Sequence, residues 1–321
     1  MPRPQRLEYE GAFYHVMNRG RRRQKVFHGP SDYEDFLRTL SEAHERFGLE
    51  IHAYCLMGNH YHLLVKTPRG NLSRCMRHVN GLYTQRYNRR AGTDGPLFRG
   101  RFKAILVDAD AYLLQLTRYI HRNPIETSEP LVERLEDYPW SSYPVYVNRA
   151  RAPDWLYRET TYTMLGHRHR YAQYRAYVEQ GTDTDLRAFY EKGRLPPVLG
   201  SESFKAEIED EPWENVSPEK LRQQLYEPVA HETIIETVAR LFDVEPRELR
   251  TGKRGQRNPA RWLAMVLCQQ LGGLSQSRVA EIFQLGSVGG ISHARRQLEK
   301  AIEDDVELRN RWQLAIKHLT P

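Results

Sequence analysis

The chain has 321 residues, with 48 Lys+Arg against 41 Asp+Glu, a formal charge of +7 and a pI of about 9.2, a length that predicts two domains with separate cores. Its three cysteines, Cys55, Cys75 and Cys268, form no CxxC pair, which excludes a zinc knuckle or a disulfide framework and fits reduced thiols in the cytosol. No run reaches the roughly 20 apolar residues of a membrane span, and Met1-Pro2-Arg3-Pro4-Gln5-Arg6 lacks the apolar stretch of a secretion signal; a cytoplasmic protein with no membrane partner is expected.

Residues 12–18 (AFYHVMN) alternate as a strand does, with His15 as a packing residue, and lead into the basic turn Arg19-Gly20-Arg21-Arg22-Arg23. Ser31 or Asp32 is expected to cap a helix whose apolar face is Phe36, Leu37, Leu40, Ala43 and Phe47, closed by Gly48. A strand over 49–57 follows, then the hairpin signal Gly58-Asn59 and a strand over 60–66. Residues 72–87 read as a helix, 91–95 as a loop and 102–107 as a fourth strand. A helix started by Asp108 or Asp110 carries Tyr119 and stops before Pro124. The order βαββαβα implies an α+β fold, an antiparallel ferredoxin-like sheet with helices on one face.

That order gives two motifs their meaning. His60 and His62, two apart on a strand, point the same way and are close enough to share a divalent metal, while Tyr61 points into the opposite layer. Tyr119 and Asn123, four apart on a helix, share a face that Gln115 extends, and His121 lies off it. Taken singly, a His-x-His pair or a helix tyrosine is ordinary core furniture. Together, imidazoles, a metal and a phenol suggest phosphodiester chemistry. Charge agrees: residues 1–150 hold 23 basic and 16 acidic side chains, and the remainder 25 of each. A polyanion would meet the half that carries the histidines, although the surplus taken alone is better explained by a solvated surface.

Residues 144–200 are expected to extend the first domain, and 201–229, with eight acidic side chains between 201 and 228, to be an acidic linker with room for a short helix. From 230 a helical domain is expected to run to 321. An amphipathic helix (Ile234, Ile235, Val238, Ala239, Leu241, Phe242) breaks at Val244-Glu245-Pro246. A basic turn follows, with Arg247, Arg250, Lys253, Arg254, Arg257 and Arg261. A short helix over 278–283, a turn over 286–290 and a recognition helix over 292–302, with Arg295, Arg296 and Lys300 outward, make a helix-turn-helix.

The first region, about residues 8–145, resembles the single-tyrosine HUH transposases, most closely the REP-associated tyrosine transposases. The likeness rests on Tyr14-His15-Val16 with Arg19-Gly20, Met57-Gly58-Asn59-His60-Tyr61-His62-Leu63-Leu64 and Gly95-Pro96-Leu97-Phe98-Arg99-Gly100-Arg101-Phe102. It continues in Arg118-Tyr119-Ile120-His121-Arg122-Asn123-Pro124 and Asp137-Tyr138-Pro139-Trp140-Ser141-Ser142-Tyr143. It implies that Tyr119 is the nucleophile, that His60, His62 and Asn123 hold the metal, and that cleavage passes through a 5′-phosphotyrosine. Family members often carry Gln where Asn123 stands. Two imidazoles and an amide oxygen leave open positions that suit Mg²⁺ or Mn²⁺. The expected substrate is hairpin or palindromic single-stranded DNA, contacted by Arg19, Arg21, Arg22, Arg23, Arg99, Arg101 and Arg122; a homodimer could supply two cleavages. Residues 230–319 resemble the C-terminal DNA-binding domain of the replication initiator DnaA. That likeness sits in Ala260-Arg261 with Ala264-Met265, Leu274-Ser275 with Ala280-Glu281-Ile282-Phe283, and Ser292-His293-Ala294. It implies duplex binding by Arg295, Arg296 and Lys300. The initiator's basic-acidic-His cluster is absent; Ser287-Val288-Gly289-Gly290 stands there, so its target sequence does not carry over. Two other functions stay open: a DNA-binding regulator without catalysis, and a metal-dependent hydrolase of small molecules.

Overall fold

The computed structural model describes residues 6–166, 168–192, 195–213, 216–252, 257–287 and 289–320. Residues 1–5, Lys253 and Arg254 of the expected basic turn, and Val288 of the expected 286–290 turn lie outside them. The chain divides into two compact units, Met1–Ile208 and Glu209–Pro321.

The first unit is a five-stranded sheet in the order β2-β3-β1-β4-β5. Its strands are β1 (Ala12–Arg19), β2 (Glu50–Met57), β3 (His60–Thr67), β4 (Lys103–Val107) and β5 (Val198–Leu199). All neighbours are antiparallel except β4 and β5. Gly58-Asn59 makes the tight turn between β2 and β3, with Met57 paired to His60, so the hairpin register fixes where the histidines point. The expected order of elements is present, and β5 is an addition that two residues could not announce.

Helix α1 (Pro30–Phe47) is capped at Gly29, not at Ser31 or Asp32. Asp32 instead occupies the third helical position and accepts the backbone N–H groups of His28 (2.7 Å) and Gly29 (3.4 Å), which satisfies donors the helix leaves unpaired. Gly48 closes α1 in the left-handed region, φ 72°, where a side chain would be strained. Helix α2 (Leu72–Ala91) runs four residues beyond the expected end and stops at Gly92.

Helices α1 and α2 cover one face of the sheet, where Tyr61 meets Phe36 at 4.9 Å between ring centroids and donates to Asn80. Helix α3 (Ala109–Arg122) covers the other: Leu113, Leu116 and Ile120 pack on Ala53, Cys55, Met57 and Leu64. The expectation of helices on a single face is therefore corrected. β2 and β3 are buried on both sides, so neither face could be left to water. Emptying the α1 side of this packing, Phe36→Ala, would cost about 3–5 kcal/mol.

The segment between α3 and β5 holds α4 (Tyr143–Tyr146), α5 (Glu159–Leu165), α6 (Arg170–Glu179) and α7 (Thr184–Glu191). His121, on the α3 side away from Tyr119, is fully buried there between the Tyr174 hydroxyl (2.5 Å) and the Ser142 hydroxyl (2.6 Å). Within the expected linker, with its room for a short helix, the chain forms two, α8 (Glu202–Asp210) and α9 (Pro218–Leu225).

The second unit is helical: α10 (His231–Phe242), α11 (Pro246–Arg250), α12 (Pro259–Gln270), α13 (Gln276–Ile282), α14 (Gly289–Asp304) and α15 (Val306–Leu319). Arg247 and Arg250 belong to α11, not to a turn. Arg261, expected in the basic turn, lies in α12, is 7% exposed and donates to the carbonyls of Leu249 (2.9 Å) and Phe283 (2.6 Å). It ties the ends of α11 and α13 to α12. Ile291, Ala294, Leu298 and Ala301 form the inner face of α14; Arg296 and Lys300 are exposed and Arg295 is half-buried. No helix among the described residues is long and apolar enough to cross a membrane.

Candidate active site

The strand register assembles a cluster that the sequence spreads over 175 positions. Met17 of β1 lies directly opposite His62 of β3, and paired residues share a face, so His15, two residues before Met17, lies on that face as well. His62 meets His60 at 5.2 Å and Tyr119 of α3 at 6.0 Å between ring centroids, both edge-on. His60, His62 and Tyr119 are thus brought together as expected. Asn123 caps the end of α3, and its amide nitrogen donates to the Tyr119 carbonyl at 2.9 Å, so its carbonyl oxygen is the atom left for a ligand.

Two members were not foreseen. His15 is fully buried, its Nε2 is 2.9 Å from His62 Nδ1, and its Nδ1 is 2.5 Å from the Tyr190 hydroxyl. Tyr190, from α7, lies face to face on Tyr119 at 4.3 Å and 9° between planes. Arg118 of α3 holds this helix in place by pairing with Asp183, the residue before α7, while Leu186 packs with Ile105 and Leu199. Strand parity could have found His15, because β1 alternates; nothing local in the sequence marks Tyr190.

Burial sets the electrostatics. It lowers the His15 imidazole to about 3 and, helped by Arg19, His60 to about 4. His62 is held well below its ordinary value by burial, then by His15, His60 and Arg19. All three are neutral at pH 7, the form that ligates a cation. His60 Nδ1 is 2.6 Å from the Asn59 amide oxygen and therefore carries the proton, leaving Nε2 its lone pair. Burial, and then Glu126, push the Tyr119 phenol up to about 12. Among the described residues no three His, Cys, Asp or Glu side chains are grouped to hold a metal, so any site here is completed by an amide or by solvent. Donors of this kind, imidazole nitrogen and amide oxygen, suit a labile divalent ion rather than a closed structural zinc.

A basic rim adjoins the pair. Arg19 is paired to His60 across the sheet, and the turn after it is pinned by Gly20 N–H to the Asn59 carbonyl (2.8 Å), Arg21 N–H to Leu97 (3.0 Å) and Arg99 N–H to Arg19 (2.9 Å). Gly20 is required: a Cβ there would stand 2.1 Å from the Gln24 carbonyl oxygen. Arg19, Arg21, Arg22, Arg23, Arg99 and Arg101 are all exposed. Arg122, expected beside them, is half-buried and spends its guanidinium on Glu126 (2.6 Å) and the Val178 carbonyl (2.8 Å); it is a structural arginine.

The family model described as "Transposase IS200 like" matches residues 8–123. Among solved structures, the chain is similar to a REP-associated tyrosine transposase bound to a REP hairpin, with 19% identity over 50% of this chain and 94% of that one and a TM-score of 0.39. It is also similar to a candidate transposase from Deinococcus radiodurans R1, with 19% identity over 38% and 97% of the two chains and a TM-score of 0.28. No curated protein sequence matches it.

Proposed function

We propose, with the match of residues 8–123 to the family model described as "Transposase IS200 like" in support, that the chain is a metal-dependent single-strand DNA nickase and strand transferase acting on hairpin DNA. The observation that carries this is the convergence of Tyr119 with His60 and His62 beneath an arginine rim. Tyr119 Oη attacks phosphorus, the P–O3′ bond breaks, and the released 3′ oxygen takes up a proton while the 5′ phosphate stays on the tyrosine. The phenolic proton must leave first, against a phenol raised to about 12. A divalent ion held by His60, His62 and Asn123 would supply charge withdrawal from the non-bridging oxygens. The exposed arginines hold the backbone, and the covalent ester conserves the energy needed to rejoin a strand. In the second unit, Arg296 and Lys300 on the outer face of α14 engage duplex DNA.

The test is to incubate the protein with single-stranded hairpin DNA and Mg²⁺ or Mn²⁺ and resolve covalent adducts on a denaturing gel. Tyr119→Phe should bind the hairpin and form no adduct; an adduct from that variant removes Tyr119 from the role, and full cleavage in EDTA removes the metal. A second reading, a DNA-binding regulator without catalysis, is favoured by the face-to-face cover of Tyr190 on Tyr119. Hairpin binding with no adduct from the unsubstituted protein would select it.

A further inference from the structure

The contacts of His15 reach from the histidine pair to a helix well outside the segment matched by the family model. We propose that His15 and Tyr190 are positioning residues which fix the ring tautomer of His62, so that its Nε2 lone pair is presented to a divalent cation; this rests on the metal site proposed above.

The argument is one of proton counting. A neutral imidazole has one N–H and one lone pair, and His62 Nδ1 and His15 Nε2 are 2.9 Å apart, so one donates to the other. If His62 Nδ1 donates, its Nε2 keeps the lone pair and can ligate. His15 Nε2 then accepts, so His15 carries its proton on Nδ1 and gives it to the Tyr190 oxygen, 2.5 Å away. If the column runs the other way, the Tyr190 hydroxyl donates to His15, His15 donates to His62, and His62 carries its proton on Nε2, where no cation can bind. The direction of two hydrogen bonds thus decides whether the pair His60 and His62 can act as ligands at all. His15 is fully enclosed, so water cannot replace a missing partner without cost. Such outer hydrogen bonds set the orientation and tautomer of metal-binding histidines in general. Tyr190 also covers Tyr119, so one side chain touches both the expected nucleophile and the chain of bonds behind the expected ligand.

The test uses the full-length protein labelled with ¹⁵N-histidine, together with Mn²⁺ titrations by calorimetry and hairpin binding as a control for folding. In the metal-free protein His62 should carry its proton on Nδ1. Tyr190→Phe, which removes one oxygen and keeps the ring, should move the proton toward Nε2 and weaken Mn²⁺ binding about tenfold, with hairpin affinity unchanged. His15→Gln, whose side-chain oxygen can accept from His62, should keep most of the Mn²⁺ affinity, and His15→Leu should lose it. A proton on His62 Nε2 in the unsubstituted protein overturns the proposal, as does a Tyr190→Phe variant with unchanged tautomer and affinity. If the unsubstituted protein binds no Mn²⁺, the metal site itself has failed, and the tautomer measurement still decides the role of His15 and Tyr190.

Discussion

Lowering the pH from 7 to 5 should destabilise the first unit by about 4 kcal/mol, through two buried histidines alone. His15 and His121 are fully buried, and burial holds each at about 3. In the unfolded chain each returns to roughly 6.5. The folded value is the lower one, so the unfolded state binds more protons and stability is complete above about 6.5 and lost as the pH falls toward the folded value. At pH 5 each unfolded imidazole is almost fully protonated and each folded one is not, which is worth about 2 kcal/mol per residue. Carboxylates contribute little here because their reference values of roughly 3.9–4.3 lie below the window. The direct assay is protection from amide exchange in β1 and β3 between pH 6 and 5, corrected for intrinsic rates and read as protons taken up on opening. About two protons are expected from His15 and His121, with His60 and His62 adding in the same direction. His121→Asn, which keeps polar groups toward Tyr174 and Ser142, should remove about one. An uptake below about one proton would refute the reasoning, since it would mean that charged imidazoles are accommodated inside the sheet.

Gly20→Ala should cost about 1–3 kcal/mol through its clash with the Gln24 carbonyl and should weaken hairpin binding by disturbing the arginine turn; an unchanged melting temperature and affinity would contradict this. Arg261→Met should destabilise the second unit by about 3 kcal/mol, by stripping the donors from the Leu249 and Phe283 carbonyls, as read by tryptophan fluorescence in urea. A chain ending at residue 208, the boundary of the first unit, should still nick single strands but lose duplex binding. The salt dependence of duplex binding should flatten by about one unit of slope for every phosphate that the shortened chain no longer neutralises; undiminished duplex binding would assign the second unit to a role other than reading DNA.

The parts of the molecule that can be read from sequence are those where a local signal has one structural meaning. Gly58-Asn59 between two alternating runs allows little but a two-residue hairpin, and that turn alone orients His60 and His62. Asp108 before an apolar stripe gives the start of α3, where its carboxylate accepts from Ala111. The parts that escape such reading depend on distant partners. The polar run Asn88, Arg89 and Arg90 makes α2 look finished too early, yet Gly92 supplies the left-handed residue that stops it. Charge alone suggests a surface position for Arg261, but two carbonyls from neighbouring helices bury it. Tyr190 is illegible because α7 is only eight residues long and the strand after it only two.

The strand β5 also bears on how the molecule is made. Its two residues close the edge of the sheet, and Ser201 just beyond donates through its backbone N–H (3.1 Å) and hydroxyl (2.6 Å) to the same Asp108 that caps α3. During synthesis the helix that carries Tyr119 therefore leaves the ribosome well before the segment that secures its first turn and the tyrosine that covers its ring. Pairings between residues so far apart form late in folding. A nascent chain has its histidine pair and Tyr119 early but gains the contacts of Tyr190 and Ser201 only after residue 201 has been added.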